Sequence, residues 1–221
     1  MADSLSRRSG TIYIVDDDAS FLKSMSRLLS AVGYTVRAFD TAQDFLDQLG
    51  PDTTGCLVTD LHMPGMDGLK LQEALGKTIT PLPVIFLTGQ GDIPTSVSAM
   101  RGGAEDFLVK RAPKEELLAA IDRALEREAA EREQRGHLQN LHHRFHDLSE
   151  REMEVLSHVV KGKMNKEIAA DLNINERTVK LHRTNLTRKL KVQSAVELSR
   201  LADEAGLFKN PKENPARPPT V

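Results

Sequence analysis

The chain should fold as two domains of different class: a doubly wound α/β domain around five parallel strands, and an all-α domain of four helices, with a helical linker between them. Three observations predict this. Over residues 11–125 short apolar runs alternate with amphipathic stretches, the mark of βα units around a parallel sheet covered on both faces. Over residues 148–208 helical periodicity is present without any strand-like run. Aromatic residues make up only 4% of the 221, with no Trp, so aliphatic side chains must fill the core, which favours helix-rich or α/β packing.

The strand candidates are Ile12 to Val15, Thr35 to Phe39, Cys56 to Val58, Val84 to Leu87 and Phe107 to Val109. Helical patterns lie between and after them, near 19–32, 41–48, 67–75, 94–102 and 114–127. From Ala124 to Gln134 the residues are almost wholly Ala, Glu and Arg, and the spacing of Leu118, Ile121 and Leu125 stops before a coiled-coil seam develops. This stretch is therefore read as solvated helix within a helical linker over residues 126–147, and Leu138, Leu141, Phe145 and Leu148 then restore a short amphipathic stretch leading into the next domain. Ser149-Glu150-Arg151-Glu152 has the form of a capping box and should start a new helix. Three more follow near 165–172, 176–190 and 194–205, and residues 209–221, with four prolines, should be a disordered or extended tail.

Net charge is −2 overall, but it is unevenly spread. Residues 1–125 hold 12 basic and 17 acidic side chains, whereas residues 148–221 hold 14 and 10. Such polarity suggests different partners for the two domains, nucleic acid being one for the basic domain. No run approaches the ~18 apolar residues of a membrane span. The early apolar run ends at Asp16-Asp17-Asp18, which no signal-peptide core tolerates. Neither membrane insertion nor export is expected, and a single cysteine, Cys56, fits a buried hydrophobe in a reducing cytoplasm.

Asp16 and Asp17 follow the first strand candidate, Asp60 the third, Thr88 the fourth and Lys110 the fifth. The carboxyl ends of strands in an open parallel sheet meet at one edge, so these dispersed positions converge. Any one acidic residue there could be a helix cap; five convergent positions are a site. Crowded carboxylates repel unless a hard, oxygen-preferring cation such as Mg²⁺ sits among them.

With these residues goes the segment Asp60-Leu61-His62-Met63-Pro64-Gly65-Met66-Asp67-Gly68, the Leu87-Thr88-Gly89 turn and Phe107-Leu108-Val109-Lys110. Through them residues 11–125 resemble the receiver domain of two-component response regulators, whose sheet is flavodoxin-like. The resemblance implies that Asp60 is the phosphoacceptor. It also implies that Asp16, Asp17, Asp60 and the His62 backbone carbonyl hold Mg²⁺, that Thr88 and Lys110 bind the phosphoryl group, and that Phe107 is a switch aromatic. One departure stands out. Receivers usually follow the lysine with a cis proline, whereas here the first proline is Pro113, which predicts a different loop and a looser hold on Lys110.

Residues 177–191 contain six Lys or Arg and no acid. On a helix, Val179, His182, Leu186 and Leu190 share one face, and Arg177, Lys180, Leu181, Thr184, Arg188 and Lys191 the other. A leucine among cations suits a major groove, where it can meet a thymine methyl. A short turn, Asn173-Ile174-Asn175, joins this helix to the preceding one, giving a helix-turn-helix. Leu148-Ser149-Glu150-Arg151-Glu152, Asn165-Lys166-Glu167-Ile168-Ala169 and Thr178-Val179-Lys180-Leu181-His182 are similar to the LuxR-type DNA-binding domain. That resemblance makes Lys180, Leu181 and Thr184 the expected base contacts, and Arg177, Thr178, Arg188 and Lys189 the expected phosphate contacts. His142 and His146 are one turn apart but lack a third ligand at suitable spacing.

Together the two domains resemble a response regulator of the NarL/FixJ class, with Gly89-Gln90-Gly91-Asp92-Ile93-Pro94 leaning to the FixJ-like branch. The resemblance implies a cytoplasmic transcription factor, not an enzyme. A sensor histidine kinase would phosphorylate Asp60, and homodimerisation through residues 93–127 would promote binding to promoter DNA; RNA polymerase is a further candidate partner. An aspartyl-phosphate phosphohydrolase would need a second aspartate two residues past the nucleophile, where position 62 is His. The alternative is a DNA-binding regulator that acts without phosphorylation.

Overall fold

A computed structural model describes residues 10–78, 81–89 and 93–208; the expected tail and half of the Gly89–Pro94 run lie outside them. Five parallel strands form one sheet: β1 (Thr11–Val15), β2 (Thr35–Phe39), β3 (Cys56–Thr59), β4 (Val84–Thr88) and β5 (Asp106–Val109). Their spatial order is β2, β1, β3, β4, β5. Between them run α1 (Ala19–Ala31), α2 (Ala42–Asp47), α3 (Gly68–Gly76) and α4 (Ile93–Arg101), and α5 (Lys114–His146) follows β5.

The period of two along each strand decides which helix covers which face. Ile12, Ile14, Cys56, Val58, Ile85, Leu87 and Leu108 pack with Leu22 and Leu29 of α1 and Leu117, Ala120, Ile121 and Ala124 of α5. The alternate residues Tyr13, Val15, Leu57, Val84 and Phe86 pack with Phe45 of α2, Leu71 and Leu75 of α3 and Ala99 of α4. Both faces are thus covered, as the doubly wound prediction requires. Cys56 is fully buried, and burial pushes its thiol pKa far above the ordinary range.

The all-α unit holds α6 (Glu150–Val160), α7 (Asn165–Asp171), α8 (Glu176–Lys189) and α9 (Ala195–Glu204). Its core is Val155, Leu156, Val159, Ile168, Val179, Leu186, Leu190, Leu198 and Ala202. The Ser149 capping box forms as expected.

The linker differs from its expectation. One helix, α5, runs through it, and the division between the two compact units falls inside that helix, after Arg132. Strong helix formers and i,i+4 pairs, Arg127 to Glu131 at 2.8 Å and Glu128 to Arg132 at 3.5 Å, carry it where an apolar stripe is missing. Leu141 and Phe145, from the amphipathic stretch, are buried among the residues of α6, α8 and α9, so the end of the linker belongs to the core of the second unit.

Candidate functional site

Asp16, Asp60 and Lys110 each stand one step beyond a strand and Thr88 ends one, and the hydrogen bonding of the sheet extends just far enough to fix the first three. Asp16 N–H donates to the Phe39 carbonyl at 3.2 Å, Asp60 N–H to that of Val15 at 2.9 Å, and Lys110 N–H to that of Thr88 at 2.8 Å. Asp16 and Asp60 are buried and Asp17 is exposed. Carboxylate oxygens of Asp16, Asp17 and Asp60 lie within 4.8 Å of one another. An all-oxygen donor set of this kind fits a hard divalent cation.

Lys110 Nζ bridges the two buried carboxylates, 2.6 Å from Asp16 Oδ2 and 2.9 Å from Asp60 Oδ2. It does so with no proline after it and with only trans peptide bonds among the described residues. The looser hold expected from the missing proline is therefore not what the geometry shows. The Thr88 carbonyl and the Ala112 N–H bond to Val109, 2.8 Å, define the loop instead. Burial raises the Asp16 carboxyl, only partly countered by Lys110 and the Asp18 N–H. Burial also opposes the charge on Lys110, but its hydrogen bonds and attraction to Asp16 and Asp60 outweigh it and hold its pKa above the usual lysine value.

Asp60 Oδ1 accepts from Leu61 N–H at 2.6 Å. His62 is exposed, its N–H 3.5 Å from the same oxygen. Thr88 is buried at the end of β4. Phe107, half-buried in β5, lies 6.0 Å from the Phe86 ring. Asp18, the third acid of the first turn, instead caps α1 by accepting from Ser20 and Phe21 N–H.

Two structural features beside the site escaped the sequence reading. Phe21, in the first turn of α1, puts its ring 4.4 Å from Lys110 Nζ. Gly68 lies so close beneath the loop that carries Asp60 that a Cβ there would sit 2.4 Å from the Asp60 carbonyl oxygen. Asp67-Gly68 stands in the quoted motif, but only folding brings Gly68 back against residue 60.

In the second unit α7 and α8 form the helix-turn-helix, with Asn173 at φ 52 in the turn. Asn175 caps α8, accepting from the Thr178 N–H at 2.8 Å and hydroxyl at 2.9 Å. Arg177, Lys180, Leu181, Thr184 and Arg188 are exposed along α8, Leu181 to 59%, while Val179 and Leu186 are buried. Thr178 and His182 are half-buried. Lys189 departs from the pattern: its Nζ donates to Glu152 Oε2 at 2.7 Å and to the Asp147 carbonyl at 3.1 Å, which engages the ammonium within the domain. Arg183 Nη1 donates to Asn165 Oδ1 at 2.9 Å, and Arg151 Nη2 to the Leu172 carbonyl at 2.6 Å, bracing the motif from α7 and α6. His142 Nε2 lies 2.9 Å from the Ala205 carbonyl and His137 Nε2 2.8 Å from Glu204, contacts that give these histidines packing partners.

An α/β unit with convergent carboxylates and lysine, joined to a helix-turn-helix, defines a receiver coupled to a DNA-binding output. Residues 12–122 match the family model of the response regulator receiver domain, and residues 146–202 that of the bacterial regulatory proteins of the luxR family. Nodulation protein W of Bradyrhizobium diazoefficiens is 41% identical over 91% of this chain and 89% of its own length. The transcriptional regulatory protein FixJ of Rhizobium meliloti is 41% identical over 89% of this chain and 96% of its own. The solved structure of the response regulator StyR is 42% identical, covers 88% of this chain and 98% of its own, and superposes with a TM-score of 0.81. The chain belongs to the response regulators of the NarL/FixJ class, two-component transcription regulators that join a receiver to a LuxR-type domain.

Proposed function

We propose that Asp60 accepts a phosphoryl group from the phosphohistidine of a sensor kinase and that the modified chain pairs and binds promoter DNA. The observation that carries this reading is Lys110, held 2.9 Å from Asp60 Oδ2 at the carboxyl edge of the sheet. In the reaction Asp60 Oδ2 forms the new P–O bond, the P–N bond to the imidazole breaks, and the leaving nitrogen is protonated. Lys110 offsets charge on the equatorial oxygens and Thr88 donates its hydroxyl to one of them. Asp16, Asp17, Asp60 and the His62 carbonyl would hold Mg²⁺, which neutralises further phosphoryl charge when bound. Phe107 turns inward as Thr88 is drawn to the phosphoryl group.

The effector is α8. Lys180, Leu181 and Thr184 read base edges, while Arg177, Thr178 and Arg188 meet phosphates; Lys189 contributes to the domain through Glu152 first. No helix among the described residues is long and apolar enough to cross a membrane, which suits a cytoplasmic site of action. Incubating the chain with a small phosphodonor and Mg²⁺, followed by mass spectrometry, tests the assignment. Label should map to Asp60 alone and vanish in Asp60→Asn; label persisting in that variant contradicts it.

A further inference from the structure

We infer that Phe21 is a positioning residue for Lys110: its ring holds the ammonium over Asp16 and Asp60, so Phe21 sets both how readily Asp60 is phosphorylated and how tightly the acidic cluster takes a divalent cation. This rests on the reading of Asp60 as the phosphoacceptor.

The Phe21 ring centroid is 4.4 Å from Lys110 Nζ, inside the range over which a ring face attracts a cation. The placement is built in from both sides. Asp18 caps α1 by accepting from the Phe21 N–H at 3.1 Å, which puts position 21 in the first turn, directly after the acidic pair. The ring also packs, partly buried, on the α1 and α5 face of the sheet, so its orientation is set by the core. On the other side the backbone around Lys110 is fixed by the Lys110 N–H bond to Thr88 and the Ala112 N–H bond to Val109, with no proline in the loop until Pro113. A lysine stem is flexible; the two carboxylates hold its head by short charge-assisted hydrogen bonds, and the ring closes a further side of the ammonium, adding a contact that leaves fewer stem conformers.

The consequence for the metal is competition. Lys110 Nζ neutralises Asp16 and Asp60, two of the three carboxylates of the cation cluster. A cation entering there must loosen the lysine from Asp16, and whatever holds the lysine opposes it. For transfer the same restraint helps, because the ammonium already stands where equatorial charge develops.

The experiment measures two quantities on the full chain: Mg²⁺ affinity by titration calorimetry without phosphodonor, and the initial rate of Asp60 labelling by a small phosphodonor at saturating Mg²⁺. Phe21→Leu should bind Mg²⁺ about two- to fivefold more tightly and label about two- to fivefold more slowly, the equivalent of ~0.5–1 kcal/mol for a cation–ring contact. Phe21→Tyr keeps the ring and should restore both values. In a Lys110→Met background Phe21→Leu should change neither, since the effect passes through the lysine. Should Phe21→Leu lose its fold by circular dichroism, Phe21→Met takes its place. Unchanged Mg²⁺ affinity in a folded ring-less variant, or an equal change in the Lys110→Met background, overturns the inference while leaving Asp60 as acceptor. Absence of Asp60 label in the unaltered chain overturns the acceptor reading, and the inference falls with it.

Discussion

A single missing Cβ shows how tightly the loop that carries Asp60 is built. At Gly68 any side chain meets the Asp60 carbonyl oxygen at 2.4 Å and the Phe86 ring at 2.9 Å, and neither backbone nor core aromatic can yield cheaply. Gly68→Ala should therefore lower stability by about 1–3 kcal/mol, read as an earlier urea midpoint, and slow Asp60 labelling because the loop that carries the carboxylate shifts. An unchanged midpoint would mean that α3 moves away without cost. The convergence of Asp16, Asp60, Thr88 and Lys110 was legible from their places after strand candidates, since parallel strands deliver their carboxyl ends to one edge. Gly68 and Phe21 were not, because their roles depend on which chain segments approach each other across the fold, and no spacing in the sequence encodes that approach. Lys110 marks the limit of motif reading: the absent proline pointed to a looser lysine, and the fold supplies other restraints.

Among the elements, α8 is braced from both α6 and α7. Glu152 is buried in the first turn of α6, and Lys189, at the last turn of α8, reaches it at 2.7 Å. Burial works against the carboxylate charge, but Lys189 and the Ser149 backbone and hydroxyl outweigh it and hold the Glu152 pKa below the usual glutamate value. A depressed carboxylate pKa contributes stability that is present above the unfolded pKa, ~4.3, and is lost as pH falls through the folded value. The helical unit should thus unfold more readily as pH drops below about 4.3. Glu152→Gln should flatten that dependence and cost about 2 kcal/mol near neutrality, the scale of a hydrogen bond to a charged group, as thermal melts across pH would record. For recognition, Lys180→Ala and Thr184→Ala should alter sequence preference in a binding-site selection. Arg188→Ala should instead weaken all sequences alike and lower the salt slope by about one unit. Unchanged preference in both former variants would refute the docking of α8. Helix identities were readable from periodicity and capping residues, and the exposed stripe of α8 follows the 100° rotation closely. The extent of α5 was not, because its middle is held by propensity and ion pairs while Leu141 and Phe145 find partners only in the folded helical unit.

At the scale of the whole chain the apolar surface of the receiver is unevenly placed. Ile93, Val97 and Met100 on α4 and Val109 on β5 are exposed to 80%, 44%, 48% and 47%, next to the lysine that would grip the phosphoryl group. Exposed apolar side chains on two elements that contact each other are the kind of feature association surfaces present, and pairing through residues 93–127 is proposed on that ground. Two linked recognition helices bind DNA far better than one, so a phosphoryl group that favours the paired state raises occupancy through differential affinity alone. Val97→Glu should abolish pairing while leaving Asp60 labelling unaffected, which native mass spectrometry of the labelled chain can check. The most direct test of the central claim is sedimentation velocity of the full chain with Mg²⁺, with and without beryllofluoride, beside Asp60→Asn. The account predicts a shift from monomer to dimer on adding the mimic and none in the variant; identical distributions for the unaltered chain in both conditions would contradict it.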